Sequence, residues 1–163
     1  MIPATRPVSN LTFSIERFSD RLIEARGLAE AHWQEFGNHQ DIRNFEMDYD
    51  KYLAADRRGM LKTCVARRAG KIVGYLVMFV IVDAHAKSGF MAESAFYYTV
   101  PIPTRGFILR GMIRTMCRNL LDSGVRYIRF RHRLRQTARP ILENLGFELD
   151  ELSFSLNVDK FRG

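Results

Sequence analysis

Residues 96–111, Phe-Tyr-Tyr-Thr-Val-Pro-Ile-Pro-Thr-Arg-Gly-Phe-Ile-Leu-Arg-Gly, bring two kinds of backbone together at one point. The aromatic, β-branched start favours a strand. Pro101 and Pro103 then end it, because neither has an N–H to give a ladder. Beyond them Ile108, Met112, Ile113, Met116, Leu120 and Leu121 recur at helical spacing until Gly124, which predicts a helix over 104–123. A strand that turns so abruptly into a helix leaves first-turn N–H groups aimed at the space beyond the strand. With Arg105 and Arg110 beside them, they make a place where an anion can sit.

The rest of the chain builds a sheet around that unit. Residues 1–10 read as a loose start, and 11–163 as one domain, the usual reading for a chain of 163 residues. Leu11, Phe13 and Ile15 alternate with polar residues as a first strand does. Ser19-Asp20 offers a cap for a helix carrying Leu22, Ile23, Leu28, Ala29 and Trp33, which Gly37-Asn38 ends. A polar loop over 39–48 leads to a short second helix from Tyr49, with Tyr52 and Leu53, as far as Gly59. Strands over 61–67 and 71–82 are parted by Arg68-Ala69-Gly70, a tight hairpin. A loop over 84–89, a strand over 90–100, the helix over 104–123, a strand over 125–132 and a short helix over 137–145 follow. Gly146 ends that helix, and 147–158 close the chain as one or two strands. The order is β-α-α-β-β-β-α-β-α-β-β. It implies a mixed α/β fold whose sheet, of about seven mostly antiparallel strands, is flanked by about four helices.

Composition narrows the function classes. No apolar run approaches the roughly 18 residues of a membrane span, and the first ten residues have no apolar core of a secretory signal. Cys64 and Cys117 lie far apart without metal-ligand spacing, as free thiols in a reducing cytoplasm do. A cytoplasmic protein is the expectation, and no metal is expected. The net charge of +7, mostly from arginine, suits an anionic partner. Arg105, Arg110, Arg114 and Arg118 climb one side of the long helix, and Arg129, Arg131, Arg133 and Arg135 alternate along the strand after it. Aromatic residues do not interleave this basic run as base-stacking platforms would, which argues against nucleic acid.

Several strings resemble the GNAT superfamily of acetyl-CoA-dependent N-acetyltransferases, over about 150 residues. VARRAGKIVGYLV is similar to its second and third strands. YYTVPIPTRG resembles the end of the fourth strand with the phosphate loop, SGVRYIRFRHR the fifth strand, and ARPILENLGFELDE the fourth helix with a Gly-Phe pair, here Gly146-Phe147. AHWQE, the loop histidine His85 and the acidic residue before YYTVP are similar to phage-encoded members. The resemblance implies acetyl-CoA as cofactor and an amine, on a small molecule or a protein, as acceptor. It implies that the fourth and fifth strands splay and that pantetheine lies in the gap on backbone groups of Tyr98, Thr99 and Val100. The pyrophosphate would rest on the N–H groups of Arg105, Gly106, Phe107, Ile108, Leu109, Arg110 and Gly111. Glu93 is then the base candidate, with His85 on the adjacent loop and Tyr98 as a candidate acid. His32 and Glu35 share a face of the first helix near the acceptor entrance. Homodimers are common in the superfamily.

The chain also departs from the family pattern at three slots. The later small positions of the phosphate loop fall on Ile108 and Arg110, where a Cβ at 108 is expected to crowd a phosphate. The asparagine after the fifth strand falls on Arg135, and the tyrosine acid of the fourth helix falls on Leu142. These departures suggest a rival class: a non-catalytic module of the same fold that binds a CoA species or grips a host protein through its arginine face.

Overall fold

The hairpin at Ala69-Gly70 sets the register of the sheet. Both residues have positive φ, 49° and 79°, as a two-residue turn matching the right-handed twist of its strands requires. It joins β2 (Leu61–Arg68) to β3 (Lys71–Val82). The structure, a computed structural model, describes residues 10–37, 47–83, 89–132 and 138–151. Among these, β1 (Leu11–Glu16) and β4 (Phe90–Thr99) flank the hairpin antiparallel, and β5 (Val125–Arg129) joins β4 parallel. The sheet runs β1-β2-β3-β4-β5. The helices are α1 (Phe18–Phe36), α2 (Tyr49–Arg57), α3 (Arg105–Asp122) and α4 (Arg139–Asn144).

This is the expected mixed α/β order through α4. The sheet has five strands among the described residues rather than seven. Residues 147–151 form no strand, and the remainder of the expected closing strands lies outside the described residues. β5 also stops at Arg129, short of the expected His132, because its ladder with β4 ends there.

Two cores cover the two faces. On one, Ile108, Met112, Ile113, Met116 and Leu120 of α3 pack on Cys64, Leu76, Met78 and Ala92, with Leu142 of α4. Gly111 makes this packing possible, since a Cβ there would lie 2.1 Å from Cζ of Phe13 on β1. On the other face Phe18, Leu61, Tyr75, Val77 and Tyr98 gather under α1 and α2. Two residues assigned to apolar helix faces are instead exposed: Ile23 by 94% and Leu121 by 70%. Both lie at the edge of their stripes, where a one-position rotation turns a side chain to solvent. Helix α1 starts at Phe18, ahead of the Ser19-Asp20 cap read from the sequence. Its N-cap Arg17 makes no side-chain cap, and Asp56 of α2 accepts the Ser19 N–H at 3.2 Å instead. None of the described helices is long and apolar enough to cross a membrane.

Candidate active site

β4 carries the centre of the site because it leaves its two neighbours differently. Its ladder with β5 runs only from Phe90 to Glu93, opposite Val125 to Arg129. Immediately after, Ala95 is an extra residue against β3, whose partners step from Phe96 to Ser94. Such a bulge turns a strand and raises its twist, and here it carries β4 away from β5. Ser94 fills the first step of the gap. Its hydroxyl lies 2.7 Å from the Arg131 amide nitrogen and 3.2 Å from the Arg131 carbonyl oxygen.

Above that fork the backbone of β4 stays bonded to β3 along one edge. The Val100 N–H donates to Val73 on β3 at 3.0 Å. Alternation along an antiparallel ladder then turns the polar groups of Tyr98 to β3 as well, and those of Tyr97 and Thr99 toward the gap. Of the three residues expected to offer backbone groups there, Thr99 does so, while Tyr98 and Val100 serve the sheet.

The gap opens onto the N-terminus of α3. Thr104 is the N-cap but makes no side-chain cap. The Arg105 N–H is bonded to Ile102 and that of Ile108 to Thr104, so Gly106 and Phe107 present the open first-turn donors. Gly106 is exposed and Phe107 is 64% exposed. Ile108 does not crowd this end: it is fully buried in the α3 core, as is most of Leu109, because positions 108, 109, 112 and 113 share the inward face. Gly111 faces Phe13 rather than the loop. Their places in the phosphate site are what the resemblance implies, and a resemblance of strings does not say which way a helix is rolled.

Two arginines serve the same end. Arg68, from the end of β2, donates to Thr104 Oγ1 at 2.9 Å. The Nε atoms of Arg68 and of Arg110 are buried with no hydrogen-bond partner among the described residues. Arg105 is turned the other way. Its Nε donates to Thr99 Oγ1 at 2.9 Å and its Nη1 to Glu35 Oε1 at 2.6 Å. Its guanidinium lies over the rings of Phe36 and Tyr98. Arg105 therefore ties the end of α1 to β4, and Arg68 takes the position beside the helix terminus that the sequence assigned to Arg105.

On the α1 face a second cluster adjoins the fork. His32 stacks on Tyr98 with ring centroids 5.2 Å apart, and its Nδ1 lies 2.9 Å from the Tyr75 hydroxyl. Burial pushes the Tyr75 phenol well above the ordinary tyrosine range. Burial, followed by a hydrogen bond to Glu35, also raises Tyr98. For Glu35 burial acts upward, but hydrogen bonds from Arg105 and Tyr98 outweigh it and hold the carboxyl below its ordinary value. Glu93, the base candidate, stands at the last rung of the β4–β5 ladder. Its Oε1 accepts from Arg131 at 2.7 Å and its Oε2 lies 3.9 Å from Arg129.

His85 and Arg135 lie outside the described residues. Leu142, at the slot of the family's tyrosine, is buried against α3. Tyr97 and Tyr98 occupy opposite faces of the sheet, as expected of neighbours on a strand.

No protein-family model matches the chain, and no curated protein matches its sequence. Solved structures do match its fold. An acetyltransferase of Trypanosoma brucei superposes with a TM-score of 0.67 at 16% identity, covering 91% of this chain and 99% of that one. A predicted acetyltransferase from Clostridium acetobutylicum with acetyl-CoA gives 0.68 at 15% identity, over 94% and 99%. An aminoglycoside N-acetyltransferase in complex with CoA gives 0.65 at 19% identity, over 96% and 98%. The fold is one that acetyltransferases use.

Proposed function

We propose that this chain is a GNAT-superfamily N-acetyltransferase that uses acetyl-CoA and delivers the acetyl group to an amine. The observation that carries the reading is the fork itself: β4 parts from β5 at Glu93, and the gap leads onto the uncapped N-terminus of α3. The residues present fit the cofactor. Among the described residues the Nε atoms of Arg68, which bonds the N-cap Thr104, and of Arg110 on α3 are buried without hydrogen-bond partners, and a pyrophosphate is the kind of anion that arginines and a helix N-terminus take.

Arg68, Arg110 and the N–H groups of Gly106 and Phe107 would hold the pyrophosphate, and the backbone of Thr99 would pair with a pantetheine amide. Acetyl-CoA, when bound, supplies an acetyl thioester at the fork. His32 would take the proton of the acceptor's ammonium, with Tyr75 fixing its Nδ1 side. Tyr98, protonated at neutral pH as a phenol is, would hold a proton for the leaving sulfur. Glu93 is the rival base. To accept a proton at Oε1 it must release Arg131, so we assign it to fixing the fork.

A thermal melt with acetyl-CoA tests the binding half. Ligand at about 100 times its dissociation constant stabilises by roughly 2.7 kcal/mol, and Arg68→Met with Arg110→Met should weaken binding more than about tenfold. No shift at millimolar acetyl-CoA overturns the reading. The catalytic half is tested by His32→Gln, expected to lower kcat by about 10²-fold or more, against Glu93→Gln, expected to lower it less than about tenfold. The reverse order returns the proton to Glu93. One second reading has support: with Leu142 buried and Glu93 engaged by two arginines, the fold would serve as a binding module for a CoA species or a host protein. That reading expects acetyl-CoA binding with no turnover of any amine, or capture of an acidic partner by exposed Arg114 and Arg118.

A further inference from the structure

We infer that the acceptor is a small monoamine with one apolar arm ending in a hydrogen-bonding group, and that a slot beneath α1 receives the arm; this rests on the acetyltransferase reading above. The slot lies between Leu22, Ala25 and Ala29 of α1 and Val65, Val77 and Phe96 of the sheet, with an accessible volume of about 40 Å³, room for roughly three waters. Ala29, Met47, Tyr75 and Phe96 are shared with a second recess that reaches His32 and Trp33. The slot therefore adjoins the recess that holds His32, where the proton would be taken.

Its floor holds one unexplained polar group. Thr63 is 4% exposed, lines the slot and belongs to the face of β2 that carries Leu61 and Val65. Its Oγ1 is buried with no hydrogen-bond partner among the described residues. A buried hydroxyl left unpaired costs free energy, and a ligand atom that bonds it recovers that cost. An arm with a terminal hydroxyl, reaching in past Phe96, meets this demand.

Charge among the described residues disfavours a polycation. Among the described residues no carboxylate lines either recess. The carboxylates of α1 beyond its first turn are already paired: Glu24 with Arg67, Glu30 with Arg26 and Glu35 with Arg105. Among the described residues a polycation such as an aminoglycoside finds no carboxylate lining either recess, and it faces a chain of net charge +7.

The test compares 4-aminobutan-1-ol, pentylamine and kanamycin as acceptors, with acetyl-CoA binding measured separately by calorimetry. The amino alcohol should exceed pentylamine by more than about tenfold in kcat/KM, and kanamycin should be the poorest. Thr63→Val should bring the ratio of amino alcohol to pentylamine close to one, and Thr63→Ser should preserve it. If acetyl-CoA binds but kanamycin is preferred, or Thr63→Val leaves the ratio unchanged, this inference fails and the acetyltransferase reading stands. If acetyl-CoA does not bind, both fail.

Discussion

Ser94 holds Arg131 by both of its backbone polar groups, at 2.7 Å and 3.2 Å, at the point where β5 stops pairing with β4. A side chain here does the work of a ladder rung, so the strands can part without leaving those two groups unsatisfied. Ser94 is 4% exposed, which makes the bond costly to lose. Ser94→Ala should destabilise the fold by about 1 kcal/mol, or roughly 2–4 °C in Tm for a domain of this size. It should also weaken acetyl-CoA binding, because Arg131 then drifts from the fork. A lowered Tm with unchanged affinity would confine Ser94 to folding.

Gly111 offers a sharper packing test. A methyl group there would sit 2.1 Å from Phe13 Cζ and 2.6 Å from two further ring atoms, so the ring or the helix must shift. Gly111→Ala should cost about 1–3 kcal/mol despite the better helix propensity of alanine. Phe13→Leu in the same chain should return part of it, a coupling that a double-mutant cycle in denaturant measures. Additive losses would mean that the ring and the helix do not meet.

What the sequence made legible, and what it hid, divides by distance along the chain. The hairpin at Ala69-Gly70, the end of β4 before Pro101 and the start of α3 are local events, written in residues a few positions apart. The parting of β4 from β5 followed from resemblance and is carried by Ala95 and Ser94, neither of which announces a bulge or a bridge. Arg105 sits beside Gly106 as a phosphate-loop arginine would, yet its guanidinium bonds Glu35, 70 residues earlier. Arg68 stands at the α3 terminus from 36 residues away, and Asp56 caps α1 across 37. Spacing carries no information about such meetings. Ile108 is the same lesson in reverse: its crowding of the phosphate was expected from its place in the loop, and the roll of α3 buried it instead.

Ala69 is a local misfit. It has φ 49° and is the one described non-glycine residue with positive φ, a conformation that costs an L side chain about 1–2 kcal/mol. Asparagine tolerates it and is preferred at this position of a two-residue hairpin. Ala69→Asn should stabilise the protein by roughly 0.5–1 kcal/mol with no change in acetyl-CoA affinity. Chemical denaturation would show a higher midpoint at constant slope. A lower midpoint would place Ala69 outside the left-handed region.

Arg67 gathers two carboxylates from different elements, Glu16 of β1 and Glu24 of α1, and so pins the helix to the edge of the sheet. Its hydrogen bonds are the main reason both carboxyls sit below their ordinary value of 4.5, with burial acting against them. A carboxyl whose folded pKa is depressed contributes stability above its unfolded pKa and loses it as pH falls through the folded one. Melting temperature should therefore hold on acidification from neutral pH to about 5, then decline below about 4.5 as both groups take up protons. Arg67→Met removes the cause of both shifts. That variant should start from a lower Tm at neutral pH and fall less steeply in acid, so that the two curves converge near pH 2. Parallel curves would assign the acid sensitivity to other carboxylates and leave Arg67 only a packing role.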